Sequence, residues 1–342
     1  MCEFGFSEVE VIRLLSLSKI PRPLIWRGDC LDILDQHLLP NEIKYLKATS
    51  WSDCRNAIQN MTIRGAPIIG VCGSYGMALA ALKEPENLEK IAFEMKMARP
   101  TASNLAWAVD KIMMHQSLDM QNAAKQIELD EHRRSFAIAK NGSILINNDM
   151  TILTHCNTGS LAAGGFGTAL GVLIWGVLVE KKHISVVNTE TRPYLQGSRL
   201  TSFELVNAHI SDTLIPDMAA GYFMSQGKVD LVIVGADRIA KNGDFANKIG
   251  TLTLAVLAKE YNIPFFVAAP RSTLDISIDA GSQIIIENRE SLELTEIFGH
   301  PIAPKNVNVC NPAFDITLHD FVDGYITEYG VFDDIEGLLL SL

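Results

Sequence analysis

The stretch Thr151-Ile152-Leu153-Thr154-His155-Cys156-Asn157-Thr158-Gly159 joins a short apolar run to a polar turn that ends in glycine. Two other stretches share this design: Glu190-Thr191-Arg192-Pro193 follows the run at residues 184–188, and Gly235-Ala236-Asp237-Arg238 follows Leu231–Val234. Such runs are typical of buried strands in a parallel sheet. Open α/β sheets bind ligands beyond the carboxyl ends of their strands. We therefore predict that the three turns meet at one sheet edge, bring a thiol, two carboxylates and two guanidinium groups there, and form an enzyme's active site.

From Asn147 onward the sequence alternates between apolar strand, turn and helix. Strands are predicted at residues 151–155, 184–188, 212–216, 231–234, 265–268 and 283–286. This alternation is typical of a parallel sheet with crossover helices. We therefore predict a Rossmann-like parallel-sheet C-terminal domain over residues 146–342, which carries the catalytic residues.

The earlier residues have mostly helical patterning. Residues 1–22 form an amphipathic appendage that ends at Pro21-Arg22-Pro23. Further helices are predicted at residues 41–46, 51–61, 65–82, 88–98, 102–114 and 119–139, with a short sheet near residues 24–39. The overall prediction is an α/β protein in which a mostly helical N-terminal domain, residues 23–145, precedes the Rossmann-like domain.

Composition limits the possible functions. With 342 residues, the chain is long enough for two domains with sizeable cores. The formal net charge of −11 argues against a nucleic-acid-binding or membrane-binding surface, because both need a basic face. The six cysteines have no metal-like or disulfide-like spacing, which favours a reducing compartment and no metal site. Because the N-terminus lacks a signal pattern and the longest apolar run is too short to span a bilayer, we expect a cytoplasmic protein.

The glycines after Cys156 suggest a dinucleotide-binding turn, but their spacing is wrong. In that fingerprint the first glycine directly follows the strand, whereas Gly165-Phe166-Gly167 lies about nine residues beyond Cys156. We therefore expect these glycines to allow close packing of helix and sheet. The turn Asn157-Thr158-Gly159 is predicted to open a helix whose N–H groups face an anion.

Cys156 and Asp237 are the candidate catalytic residues. A cysteine at a strand end is often an inert buried thiol, yet the neighbours of Cys156 are unusually polar. Asp237 is either an acid neutralised by Arg238 or a carboxyl group whose pKa is raised by burial, as a general acid requires. Neither pair of alternatives is decided by the residues alone.

Several basic residues precede predicted helix starts, where anions bind. These are Arg64 before Gly65 and Ala66, Arg99 before the cap candidates Thr101 and Ser103, and Lys248 after Asn247. Taken singly, each arginine or lysine can be a solvated or ion-paired surface residue. Together with an acid and a thiol, and without a metal, nucleotide or Ser/His/Asp motif, they indicate a site where a small phosphorylated molecule undergoes proton transfer. Isomerisation of a sugar phosphate fits this set.

These motifs resemble the methylthioribose-1-phosphate isomerase family of the methionine salvage pathway. The resemblance runs from Trp26 almost to the end of the chain, with matches at residues 61–70, 99–102, 154–159, 190–193, 196–201, 235–239, 247–251 and 311–315. It implies conversion of 5-methylthioribose 1-phosphate to 5-methylthioribulose 1-phosphate without a cofactor, in a homodimer. By motif, Asp237 matches the proton donor and Cys156 the residue that serves the transition state. The matching substrate-binding residues are Arg64, Gly65, Ala66, Arg99, Gln196, Asn247 and Lys248.

The resemblance leaves the detailed chemistry open. Cys156 either shuttles a proton through an enolate-like intermediate or shapes a dry pocket for a hydride shift. Both routes require exclusion of water, so we expect the two domains to close on the substrate. The shared motifs contact the phosphate and the ring, so 5-deoxyribose 1-phosphate is an alternative substrate and ribose 1,5-bisphosphate a weaker one. Residues near Ile68 and Phe166 are expected to select the 5-substituent.

A non-catalytic alternative is a sugar-phosphate-binding or nucleotide-binding regulatory subunit of the exchange factor for eukaryotic translation initiation factor 2, which shares the fold. The presence of Cys156, Asp237 and the Asn247-Lys248 pair argues against that alternative.

Overall fold

The computed structural model describes residues 3–99, 103–115 and 119–340. The helices are α1 (Glu8–Leu15), α2 (Trp51–Gln59), α3 (Ala66–Lys83), α4 (Leu88–Lys96), α5 (Ser103–Met113), α6 (Met120–Gly142), α7 (Ser160–Ala163), α8 (Ala169–Leu178), α9 (Ser202–Asn207), α10 (Ala220–Ser225), α11 (Thr251–Glu260), α12 (Leu292–Thr295) and α13 (Ile335–Leu340). The strands are β1 (Leu24–Trp26), β2 (Leu31–Leu34), β3 (Tyr45–Ala48), β4 (Thr151–Thr154), β5 (Ser185–Thr189), β6 (Ser211–Ile215), β7 (Leu231–Val234), β8 (Arg238–Ala240), β9 (Phe245–Lys248), β10 (Phe265–Ala268), β11 (Leu274–Asp275), β12 (Glu296–Ile297), β13 (His300–Pro301), β14 (Phe314–Thr317), β15 (Gly324–Thr327) and β16 (Gly330–Phe332).

The largest sheet has seven strands in the order β16-β15-β10-β7-β4-β5-β6. All neighbours pair in parallel except β15 and β16, which are antiparallel. The strands that precede the three polar turns, β7, β4 and β5, are direct neighbours, and Leu153 of β4 pairs with both Val187 and Val232. Because parallel strands end at the same edge, this order brings the turns together. The predicted α/β class and parallel sheet are confirmed.

One predicted strand is wrong, and several strands were missed: β15 and β16 of the large sheet, and the four-stranded sheet β11-β8-β9-β14. A short 3-10 helix ends at Gln283, residues 284–286 are irregular, and the side chain of Ile285 is 86% exposed. The place next to β10 is taken by β15, which is buried along its whole length. Gly324 in β15 leaves no room for a side chain, because a Cβ atom would lie 2.7 Å from the ring of Phe266. Because this close packing requires a glycine in β15, the strand is not a continuous apolar run, and the search for apolar runs did not find it.

The N-terminal sheet is small and antiparallel, with the order β1-β2-β3. Its third strand replaces the helix that was predicted at residues 41–46, because Tyr45 and Leu46 pair with Leu34 and Ile33 of β2. A segment of about six residues is too short to hold a helix without tertiary contacts, so the pairing with β2 prevails.

Helix α3 lies at the centre of the helical region and packs against α2, α5 and α6. It begins at Ala66 with Pro67 in its first turn, where the missing N–H of proline costs nothing. By length and composition the helix is apolar enough to cross a membrane, and 72% of it is buried inside the molecule. This burial is what a core helix shows.

Helix α6 connects the helical region with the large sheet, because it packs against α3 and also against α8. Helix α1 is anchored to the same region, since Val11 and Leu14 are buried in the core cluster that contains Phe136. The division of the chain near residue 145, and the separate appendage at residues 1–22, stay predictions.

Candidate active site

A cavity of about 410 Å³ lies at the carboxyl edge of the seven-stranded sheet. All of the predicted site residues line it: Arg64, Gly65, Ala66, Arg99, Cys156, Gln196, Asp237, Asn247 and Lys248. Arg64, Gly65, Ala66 and Arg99 come from the helical region, whereas the others follow or lie on strands of the C-terminal region. The structure therefore brings the predicted groups into one site.

The start of α3 faces this cavity. Gly65 is the N-cap residue and has a φ of 110°, a conformation that favours glycine. A Cβ atom on Gly65 would lie 2.3 Å from the carbonyl oxygen of Ala162, so no side chain fits. The close approach leaves the first N–H groups of an 18-residue helix turned toward the cavity, where they suit an anion.

Asp237 lies between the end of β7 and the start of β8. Its backbone N–H donates to the carbonyl oxygen of Ala246 at 2.9 Å, which fixes the turn. Burial raises the pKa of the Asp237 carboxyl group above its ordinary value, although the nearby cations Lys248, Arg64 and Arg99 oppose this effect. A carboxyl group with a raised pKa can keep its proton and donate it, as a general acid does.

Lys248 lies at the end of β9 and contacts the same site. Its Nζ atom donates to the carbonyl oxygen of Ala313 at 2.7 Å and lies 4.6 Å from the ring centre of Phe314. Burial lowers the pKa of the Lys248 ammonium group, while the nearby groups of Cys156 and Asp237 oppose that change. Lys248 is thus a desolvated cation held within reach of both candidate catalytic residues.

Asn247 and Lys248 lie at the end of β9, and the helix predicted to open after them starts at Thr251. The side-chain amide of Asn247 donates to the Thr251 hydroxyl at 2.9 Å. The start of α11 is occupied by the carboxylate of Asp315, which accepts from the N–H of Gly250 at 2.7 Å. Burial raises the pKa of the Asp315 carboxyl group to about 6.

Cys156 lies in the turn directly after β4 with a φ of 67°, which is uncommon for a residue with a side chain. Its backbone N–H donates to the Thr191 hydroxyl at 3.0 Å. The Nε2 amide of Gln196 donates to the Cys156 Sγ atom at 3.3 Å. Hydrogen bonds from the turn after β5 and from Gln196 therefore hold the thiol at the cavity.

His155, next to this thiol, is buried away from the cavity and serves the scaffold. Its Nε2 lies 2.9 Å from the carbonyl oxygen of Ile249, an acceptor, so Nε2 carries the hydrogen and Nδ1 accepts from the Thr189 hydroxyl at 2.5 Å. Burial lowers the pKa of the His155 imidazole. His155 is therefore neutral and supports the turn through its two hydrogen bonds. Because it does not line the cavity, it is not the base of the site.

The two predicted arginines are held by different partners. Arg64 donates through both terminal nitrogens to the carbonyl oxygen of Asn157 at 3.3 Å, and it also contacts the side-chain oxygen of Asn157. The guanidinium group of Arg99 lies 3.7 Å from the carboxylate of Glu287. Pro100, Thr101 and Ala102, which complete the predicted Arg99 motif, lie outside the described residues.

The irregular segment after residue 283 adds cavity residues that the sequence analysis missed. Arg289 bonds to Glu293 at 2.9 Å and 3.0 Å through Nε, and lies 3.3 Å from Glu287. Asn311 donates to Glu293 at 3.2 Å. These residues were missed because residues 283–286 were predicted to be a buried strand. In the sequence, only the motif at residues 311–315 indicated that this region belongs to the site.

Some predicted groups do not reach the site. Neither Glu190 nor Arg192 lines the cavity; Arg192 instead donates to the carbonyl oxygens of Glu293 and Leu294 at 3.4 Å. Ile68 and Phe166, expected near the 5-substituent, are buried in hydrophobic cores away from the cavity lining. The reason is helical geometry at position 68, since it is the neighbouring residue, Ile69, that lines the cavity.

Comparisons with known proteins agree with this geometry. Residues 62–334 match the family model of the initiation factor 2 subunit family. A curated methylthioribose-1-phosphate isomerase from Desulfitobacterium hafniense is 46% identical over 331 residues, which cover 91% of this chain and 95% of the relative. The corresponding protein from Acetivibrio thermocellus is also 46% identical, over 329 residues that cover 91% of this chain and 96% of that relative.

Solved structures show the same relationship. The crystal structure of 5-methylthioribose 1-phosphate isomerase from Pyrococcus horikoshii is similar with a TM-score of 0.89 and 37% identity, covering 99% of this chain and 98% of that one. The structure of translation initiation factor eIF-2B subunit delta from A. fulgidus is similar with a TM-score of 0.82 and 37% identity, covering 91% of this chain and 96% of that one. The family resemblance inferred from the sequence is confirmed: the chain belongs to the methylthioribose-1-phosphate isomerase family, within the larger initiation factor 2 subunit family.

Proposed function

We propose that the protein is an aldose-ketose isomerase that converts 5-methylthioribose 1-phosphate to 5-methylthioribulose 1-phosphate. The observation that carries the proposal is the cavity of about 410 Å³ that the start of α3 shares with the carboxyl group of Asp237, the thiol of Cys156 and the cations Arg64, Arg99 and Lys248. The names of the relatives supply the substrate.

In this proposal the phosphate lies at the start of α3, between the N–H groups of the first turn and the side chains of Arg64, Arg99 and Lys248. Helix N-termini and arginine forks are the usual phosphate contacts in proteins. Gly65 allows the backbone to come close, and Ala66 begins the helix. Gln196 and Asn247, which also line the cavity, contact the sugar hydroxyls.

Asp237 is the general acid of the first step. A sugar phosphorylated on its anomeric oxygen opens only when the ring oxygen is protonated, and the raised pKa of Asp237 lets it hold that proton. The nearby cations limit how far the pKa rises, so the carboxyl group can also give the proton away.

Cys156 serves the second step, in which hydrogen moves from C2 to C1. Its Sγ atom is oriented by Gln196 and faces the same cavity as Asp237. Both candidate mechanisms, proton shuttle and hydride shift in a dry pocket, use this placement. Either mechanism requires closure over the substrate, for which the ion pair between Arg99 and Glu287 offers a contact across the cavity.

An apolar part of the lining suits the methylthio group: Met61, Ile69, Ile284, Ile286 and Phe314. The cation Arg289 is already engaged by Glu293 and Glu287, so it does not offer a free partner for a second phosphate. These contacts favour an apolar 5-substituent over the bisphosphate. Burial of a methylthio group, at about 0.8 kcal/mol per apolar carbon-sized unit, predicts a kcat/KM roughly tenfold above that for 5-deoxyribose 1-phosphate.

The test is turnover by the purified protein. We expect ketose formation from 5-methylthioribose 1-phosphate, and a loss of about 10²-fold or more in kcat for Asp237→Asn, because amides do not donate the proton. Asp212→Asn is the matched control, since Asp212 is also a carboxyl group with a burial-raised pKa but bonds to Ser202 and Asn188 outside the cavity. Binding without turnover by the wild type would instead support the regulatory-subunit alternative.

We also propose that the protein works as a cytoplasmic homodimer. Exposed apolar side chains near the edge strand β6 support this: Leu214, Met218 and Tyr222 are 46%, 87% and 60% exposed. Such a patch at an open sheet edge is typical of an interface. Sedimentation analysis is expected to give twice the mass of the chain, and a monomer at micromolar concentration would contradict the proposal.

A further inference from the structure

Glu204, in α9, is a fully buried carboxyl group that does not line the cavity. It faces the start of α7, where the Leu161 N–H donates to it at 3.4 Å. A Cβ atom on Gly159 would lie 2.4 Å from its Oε2 atom, so the two elements are in direct contact. The place predicted for an anion at the turn Asn157-Thr158-Gly159 is therefore taken by the protein's own carboxyl group.

The second partner of Glu204 connects it to the cavity. The side-chain amide nitrogen of Asn157 donates to Glu204 at 2.7 Å, and the same nitrogen lies 3.3 Å from the Thr201 hydroxyl. Because these partners accept from the amide nitrogen, the side-chain oxygen of Asn157 must point the other way. That oxygen, and the Asn157 carbonyl oxygen, are the acceptors that hold Arg64.

We infer that Glu204 is a positioning residue that fixes the amide of Asn157 and thereby holds Arg64 in its phosphate-binding position. The assignment of Arg64 to the phosphate rests on the proposed function; the chain of contacts from Glu204 to Arg64 does not. Removal of the acceptor frees the amide of Asn157 to rotate, so its side-chain oxygen is no longer fixed toward Arg64.

Burial raises the pKa of the Glu204 carboxyl group to about 7, and the hydrogen bond from Asn157 and the nearby charge of Arg64 oppose this rise. A neutral carboxyl group keeps an acceptor oxygen, so the contact with Asn157 persists in either protonation state.

The test compares Glu204→Met with Glu204→Gln. Methionine keeps the length of the side chain but accepts no hydrogen bond of comparable strength, whereas glutamine keeps one acceptor oxygen for Asn157. We expect KM for 5-methylthioribose 1-phosphate to rise about tenfold in Glu204→Met and to stay within about threefold in Glu204→Gln, with smaller changes in kcat. Glu131→Met is the control for loss of a buried carboxylate, because Glu131 pairs with Arg134 and lines no part of the cavity.

A crystal structure of each variant gives a readout that does not depend on turnover. In Glu204→Met the guanidinium group of Arg64 is expected to leave Asn157, and in Glu204→Gln to stay. If wild-type protein does not convert the sugar phosphate, the proposed function fails, and these crystal structures still decide the role of Glu204. Unchanged KM and an unmoved Arg64 in Glu204→Met, with only a lower melting temperature, would overturn the inference.

A second variant covers the case in which Glu204→Met does not fold. Asn157→Ala removes the link itself and should raise KM by a similar factor. Glu204→Asp, which shortens the side chain and withdraws the acceptor from Asn157, should raise KM by itself, but adding it to Asn157→Ala should change KM no further, because the path is already broken. Effects that multiply in the double variant would show that Glu204 acts independently of Asn157, and would overturn the inference.

Discussion

Lys248 and Asp237 show how single residues tune one another in the cavity. The positive charge of Lys248 stabilises the ionised carboxylate, so it lowers the pKa of Asp237 and partly offsets the effect of burial. The proposed general acid needs its proton, and kcat/KM is therefore expected to fall as the pH rises through the pKa of Asp237.

The corresponding prediction concerns Lys248→Met. Loss of the cation should move the alkaline fall of kcat/KM to higher pH, because the pKa of Asp237 then rises further. KM should also rise about tenfold, since one of the proposed phosphate contacts is lost. The measurement is a pH–rate profile of wild type and variant.

Lys259→Met provides the control for that experiment. Lys259 also lies over an aromatic ring, 4.9 Å from the centre of Phe321, and donates to the carbonyl oxygen of Asp320 at 3.1 Å. It lies outside the cavity lining, so its pH–rate profile should match the wild type. If the pH–rate profile of Lys248→Met matches the wild type, Lys248 does not influence the pKa of Asp237, and the prediction is wrong.

At the scale of elements, the start of α3 depends on the absence of a side chain at Gly65. We predict that Gly65→Ala weakens substrate binding at least tenfold and destabilises the fold by about 2 kcal/mol or more, because the methyl group meets Ala162 in a strained backbone. Steady-state kinetics and urea unfolding measure the two effects.

Gly28→Ala isolates the contribution of this contact. Gly28 has a similar φ of 102°, but a Cβ atom there would meet nothing within 4 Å. Both substitutions therefore strain the backbone in a similar way, but only Gly65→Ala creates a clash with Ala162. Equal effects of the two substitutions would mean that contact with Ala162 is unimportant.

The sequence was informative where local pattern and tertiary structure agree. The strands β4, β5 and β7 and the turns after them were predictable, because buried parallel strands are continuous apolar runs with polar ends. Strand β15 was not predictable in the same way, since packing against Phe266 placed glycine in it. The run at 284–286 is equally apolar but lines a cavity.

The residues of the candidate site were also predicted only in part. Residues next to strand ends or helix starts were found, because backbone geometry alone directs them to the cavity. Arg289, Glu293 and Glu204 were missed, since their roles arise from contacts between segments distant in sequence: Glu204 with Asn157, and Glu293 with Asn311. No spacing in the sequence encodes such contacts.

For the whole molecule, the cavity is built from both regions of the chain. Arg64 and Arg99 come from the helical region, and Asp237 and Lys248 from the C-terminal region, so a ligand bound between them contacts both. A ligand that binds the folded state at 100 times its Kd adds about 2.7 kcal/mol to the free energy of unfolding. Binding should therefore stabilise the two regions together.

The prediction uses Asp237→Asn, which is expected to hold the substrate without converting it. Saturating 5-methylthioribose 1-phosphate should raise its melting temperature by about 4 °C or more in a single transition. Adding Arg64→Ala should remove most of this increase, whereas adding Arg27→Ala should not, because Arg27 pairs with Asp32 near the surface. A ligand that shifts only one of two separate transitions would contradict a shared site.

The helix starts of α7 and α11 each face a carboxylate of the protein itself, Glu204 and Asp315, whereas the start of α3 faces the cavity. The N–H groups at the starts of α7 and α11 are therefore not available to bind an external oxyanion. Sulfate or inorganic phosphate is therefore expected to bind at the start of α3 and to inhibit competitively against the sugar phosphate.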